Sequence, residues 1–181
     1  MSKPQLKIDP ERRARLIALH RELNLRMLRK EQAQEGGLLN FVRYFWDVLE
    51  PQTEFVEGEA LDAICQHLEA VTFGDINRLL INVPPGHMKS MLVNVFWPAW
   101  EWGPRNMPHL RYICAAHKVE NLSARDSRKM RDLILSDWYQ SRWGDRVSLA
   151  KDQNEKLNFQ NKAKGFRIAT AITSLTGIRG D

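Results

Sequence analysis

No apolar run in this 181-residue chain approaches the ~20 residues that a membrane span needs, so a membrane anchor is not expected. The amino-terminal stretch, residues 1–13 (MSKPQLKIDPERR), is too polar for a signal peptide. Both absences point to a soluble, intracellular protein. Cysteine is scarce as well. The two present, Cys65 and Cys114, lie far apart in apolar surroundings. That spacing argues against a disulfide framework or a zinc site and suggests two reduced core thiols. Internal repeats and low-complexity tracts are missing. So is any apolar strand followed by paired carboxylates: Asp126, Asp132, Asp137 and Asp145 all lack that lead-in.

What the chain does contain is enough for one domain with a real core. Hydrophobic residues make up 43% of it, with six tryptophans. A net charge of +5 permits contact with nucleic-acid phosphates without requiring it.

One stretch carries chemistry. Residues 78–90 read RLLINVPPGHMKS. An apolar run, expected as a strand over Arg78–Val83, passes through Pro84-Pro85-Gly86 into Lys89-Ser90, which open the apolar helix 91–100. Strand, tight turn, Lys-Ser and helix make up a phosphate-binding loop. Backbone N–H groups and the helix dipole favour an anion there, a lysine adds a point charge, and a serine hydroxyl can ligate Mg²⁺. The expected site is therefore Pro85, Gly86, His87 and Met88 as backbone cradle, Lys89 on the β- and γ-phosphates of ATP, and Ser90 on Mg²⁺. His87 is read as an outward-pointing loop residue, with a phosphate-facing role as the alternative. The pattern departs from G-x-x-x-x-G-K-[ST]: Val83 and Met88 stand at the two glycine positions. The competing reading is an ordinary strand–turn–helix with an exposed Lys-Ser.

Around this loop the periodicity predicts a long amphipathic helix from Asp9, with Leu16, Leu19, Leu23 and Met27 on one stripe, ended by Gly36-Gly37. That stripe is expected to pack on the body of the protein, with docking of a partner as the alternative. Helices follow over 39–49, whose aromatics Phe41, Tyr44, Phe45 and Trp46 suggest core, or a surface for adenine, and over 61–71. A buried strand is expected over 110–116. A charged helix follows over 120–136, with Leu122, Met130, Leu133 and Ile134 inward. A hairpin of strands 157–160 and 166–171 comes next. Pro98 should kink or end the helix it interrupts. The alternation predicts an α/β fold, a P-loop NTPase-type parallel sheet with helices on both faces. It divides into an amino-terminal helix (1–37) and a partial P-loop domain (38–181).

The segments INVPPGHMKSMLVNVFWPAWEWGP, FVRYFWDVLEPQTEFVEG and SLTGIRGD resemble the ATPase domain of bacteriophage terminase large subunits, over roughly 39–181. The resemblance implies an ATPase that drives double-stranded DNA into a prohead. It also implies a ring of subunits, with a terminase small subunit and a portal as partners. By position in the family, Arg179 is a candidate arginine inserted into a neighbour's site, and Arg125 and Arg128 are others. Departures are Glu59-Ala60 where the family often has Trp-His, and His117 where tyrosine is common. The family's Walker B strand is expected just after Asp181 and a nuclease domain beyond it. These 181 residues alone are thus expected to hold half an ATPase site and to be inactive. Two alternatives are a non-catalytic prophage-derived remnant that binds a partner, and another P-loop enzyme such as a small kinase or sulfotransferase. Neither of those enzymes' own motifs is present.

Overall fold

The computed structural model describes residues 9, 11–12, 14–19, 21, 36–116, 122–154, 157–175 and 177–181, with backbone alone at 151–154. Leu38–Leu49 form α1, with Leu38, Phe41, Val42 and Phe45 wholly buried at three- and four-residue spacing. Its Gly37 cap has no side-chain bond; Glu69 instead reaches across to accept the Leu38 N–H. A Cβ at Gly37 would collide with that carboxylate. Glu69 belongs to α2, Glu59–Thr72, which turns Leu61, Ile64, Cys65 and Leu68 inward.

The central helix, α3, spans 89–102 as an α turn (Lys89–Met91), a π segment (Leu92–Phe96) and a second α segment (Trp97–Trp102). Pro98 therefore does not end it. The wider π turn just before Pro98 accommodates a residue that cannot donate to the ladder, and the helix continues to Trp102. The core gathers around α3. Phe41, Phe45, Phe96, Tyr139 and Trp143 interlock at centroid separations of 4.6–6.4 Å. These rings are buried packing, and the adenine alternative for the α1 aromatics finds no exposed face on Phe41 or Phe45.

Ala124–Leu135 form α4 and Asp137–Trp143 form α5; between them Ser136 caps α5 by accepting the Tyr139 N–H at 3.3 Å. Met130, Leu133 and Ile134 are buried as expected, but Leu122 is 52% exposed, a correction to the inward stripe. The backbone at Leu122 and Ser123 is π-wound, which rotates Leu122 away from the face that α4 buries.

Among the described residues the sheet has four strands in the order β1-β4-β3-β2: β1 Tyr112–Ala116, β2 Leu149–Asn154, β3 Asn158–Asn161 and β4 Phe166–Ala171. β1 and β4 run parallel, while β4, β3 and β2 are antiparallel. The fold is α/β, as expected, but the sheet is mixed rather than wholly parallel. The 157–171 hairpin supplies the antiparallel half and extends it with β2. A second correction concerns 78–83. The segment is extended and alternates, with Leu79, Ile81 and Val83 against the core and Leu80 91% exposed, yet no strand pairs with it among the described residues.

The helical stretch 14–19 leaves Leu16 and Leu19 half exposed, so this part of the expected stripe does not pack on the body. Leu23 and Met27 lie outside the described residues, as does His117. Among the described residues no helix is long and apolar enough to cross a membrane.

Candidate functional site

The loop begins where the extended segment meets Pro84. Gly86 then adopts φ +90° and Met88 φ 54°, both left-handed, before Lys89 enters α3. Nothing lies within 4 Å of a Cβ built on Gly86, so the backbone angle alone explains the glycine. Met88 has no such freedom. A left-handed non-glycine residue costs about 1–2 kcal/mol. Its side chain, partly buried against the core, holds it in place. Two left-handed residues flank His87, and backbone N–H groups in turns of this kind can serve an anion.

No side chain caps α3, and the Leu92 N–H is the first to bond back, to the Met88 carbonyl at 3.0 Å. The N–H groups of the first turn keep their donor capacity for an acceptor outside the helix. Lys89 and Ser90 are half-buried, and neither side chain has a hydrogen-bond or ion-pair partner among the described residues. His87 is exposed, with Nδ1 3.4 Å from the Pro85 carbonyl. The arrangement offers one ammonium, one hydroxyl and a set of backbone donors, which suits a phosphate chain.

Two contacts orient α3. The Trp102 indole donates to the Leu110 carbonyl at 3.0 Å, and the Tyr112 hydroxyl donates to Glu101 Oε2 at 2.5 Å. The end of α3 thus meets the beginning of β1, and Val93, Trp97 and Glu101 line one cleft with Tyr112 and Cys114. At 1.5 Å per residue, Lys89 stands about 20 Å from Trp102 along the axis. Arg179 lies near the other end. Two residues on, Asp181 donates its N–H to Arg111 O at 3.1 Å and holds the Arg111 guanidinium, beside the start of β1. One chain therefore does not bring Arg179 to its own Lys89. Arg125 is paired with Asp126 at 2.8 Å, while Arg128 is exposed, with Nε 3.4 Å from the Ala124 carbonyl.

The buried polar groups around α3 escaped sequence reasoning. Asp126 is fully buried and accepts from Asn94 at 2.9 Å and from Arg125, tying α4 to the π segment. Glu101 is buried, with Tyr112 and Thr72 as donors; Thr72 Oγ1 also takes the Trp97 indole N–H at 2.8 Å. Desolvation raises the Glu101 carboxyl above the ordinary glutamate range, against the pull of those two donors. Glu101 in an otherwise apolar WPAWEW helix was the available signal. Burial also pushes the Cys65 thiol up to about 12 and raises Cys114, so neither is poised as a nucleophile.

No protein-family model, curated protein or solved structure matches the chain. Among the described residues no group of three His, Cys, Asp or Glu side chains is placed to hold a metal ion. A magnesium ion on Ser90 would be held chiefly by the phosphates it accompanies.

Proposed function

We propose that the chain binds a nucleoside triphosphate at 85–90 and is the amino-terminal portion of a terminase large subunit ATPase. The observation that carries this reading is Met88. It is held left-handed immediately before Lys-Ser, at the uncapped start of a buried helix; Asn106 and Lys164 are left-handed too, but neither opens a helix, so it is this position that supports the reading. Gly86, His87 and Met88 would present backbone N–H groups to the phosphates, Lys89 would neutralise the β- and γ-oxygens, and Ser90 would ligate Mg²⁺. The resemblance of 39–181 to terminases supplies the larger role: ATP hydrolysis by a ring of subunits that moves double-stranded DNA, with a small subunit and a portal as partners, in the host cytoplasm. Arg179, remote from Lys89 in its own chain, fits a part played across a subunit boundary.

Calorimetric titration with MgATP and with inorganic pyrophosphate tests the loop. Saturable binding that falls at least tenfold in Lys89→Ala supports it. Binding unchanged by that substitution, or none at all to the wild-type chain, refutes it. Lys89-dependent turnover by these 181 residues alone would contradict the half-site expectation.

The exposed Leu16, Ile17 and Leu19 favour a second reading, a non-catalytic interaction protein that docks a partner through its amino-terminal helix. That reading predicts no nucleotide affinity.

A further inference from the structure

A cleft of about 650 Å³ lies between α3 and β1, away from Lys89 and Ser90. Its size suits a small ligand. Val93, Trp97 and Pro98 give it an apolar wall, and Arg167 lines its sheet side. Arg167 sits on β4 opposite Tyr112 and is 1% exposed. A buried guanidinium normally has a carboxylate on it. Among the described residues this one has sulfur alone in hydrogen-bond reach: Nη1 donates to Met130 Sδ at 3.4 Å, and the Cys114 thiol lies beside it, with Asp126 acting from farther off. Among the described residues Nε and Nη2 have no hydrogen-bond partner.

Those two nitrogens form one edge of the guanidinium, whose parallel N–H bonds match the two oxygens of a carboxylate. The same molecule shows that edge occupied twice. Arg111 gives Nε and Nη2 to Asp181, and Arg43 gives Nε and Nη2 to Glu57. The carboxylates around the cleft are committed elsewhere: Asp126 to Asn94 and Arg125, Glu101 to Tyr112 and Thr72, and Asp181 to Arg111. Desolvation lowers the Arg167 pKa, while Cys114 and Asp126 pull the other way.

We infer that the cleft takes a carboxylate on the Nε–Nη2 edge of Arg167, which is closed off from solvent in this structure and is uncovered by a side-chain shift on binding, with an apolar body lying against Val93, Trp97 and Pro98. A single positive charge, in the field of Asp126, selects a monoanion over a phosphate dianion. The carboxylate can belong to a free organic acid or to a side chain of an extended peptide, and the two are separable.

The test follows the Arg167 Nε–H and Trp97 indole N–H resonances of the full chain at constant ionic strength. It uses acetate, butyrate and 3-phenylpropionate, then inorganic phosphate, then acetyl-Val-Glu-Val-amide against its glutamine analogue. Saturable shifts are expected with the organic acids. Butyrate should bind about tenfold tighter than acetate, as two further buried methylenes dictate. Saturation by the glutamate peptide and not by the free acids assigns the carboxylate to a polypeptide and also supports the site. Absence of saturation by every carboxylate up to about 50 mM overturns it, as does equal binding of phosphate. The affinity should vanish in Arg167→Met and weaken in Arg167→Lys, which keeps the charge without the two-donor edge; retention in a folded Arg167→Met overturns the site. Lys89→Ala should leave it intact, so this site and the loop fail independently.

Discussion

Glu101 and Tyr112 join the last turn of α3 to the first residue of β1 through a 2.5 Å hydrogen bond in which the phenol donates and the carboxylate accepts. Because burial raises the Glu101 carboxyl, the folded chain holds a proton there at a pH where the unfolded chain has released it. The stabilising contribution is full below the unfolded glutamate value and is lost as pH rises through the folded one. Glu101→Gln should therefore flatten the fall in urea midpoint from the ordinary glutamate range toward neutrality. Tyr112→Phe, which strips a buried carboxylate oxygen of its donor, should cost about 1–3 kcal/mol by urea denaturation.

Backbone angle, rather than side-chain space, governs the loop. Gly86→Ala should destabilise the chain by about 1–2 kcal/mol, although nothing crowds the new methyl. Met88→Val, which puts a β-branched residue at φ 54°, should lower MgATP affinity, whereas Met88→Gly should preserve it. Calorimetry on the three variants separates these outcomes. Equal affinities for Val and Gly at position 88 would break the link between left-handed geometry and binding.

Neighbouring residues in the extended segment should behave oppositely. Leu80→Ser, at a 91% exposed site, should change stability by no more than about 0.5 kcal/mol. Ile81→Ala, one residue on and packed against the core, should cost about 1–2 kcal/mol. Urea midpoints that rank the two the other way would mean the segment is turned over.

The β3–β4 turn rests on Asn161, which donates to the Pro108 carbonyl at 2.6 Å and accepts the Gly165 N–H at 3.0 Å. Asn161→Ala should cost about 1–3 kcal/mol by urea denaturation and expose the Gly165 amide to hydrogen exchange. Gly165→Ala should cost more, since its Cβ would lie 2.0 Å from the Pro108 carbonyl oxygen.

The helices of this chain could be read from side-chain spacing because a helix satisfies its own backbone. Leu38, Phe41, Val42 and Phe45 declare a buried face without reference to anything else. Strands are a property of pairs. Residues 78–83 carry the right alternation, yet form no ladder among the described residues. Polar LAKDQN, which shows no alternation, becomes β2 because β3 lies beside it. That a helix opens at Lys89 was legible, but the left-handed turn at Met88 was not, since methionine carries no signal for φ > 0. Arg167 hid for a related reason. FRIATA alternates cleanly, but only the sheet shows that arginine and alanine share the buried face.

The parallel pairing of β1 with β4 also sets a schedule for folding. β1 leaves the ribosome well before its described partner, with all of α4, α5, β2 and β3 made in between. Until Phe166–Ala171 emerge, Tyr112–Ala116 have no described strand to join. The helices around α3 are all made once Trp143 has emerged, so their core can settle before β1 and β4 pair. A chain stalled before residue 166 would leave β1 without its described partner, which makes this interval of synthesis one open to aggregation or to capture by a chaperone.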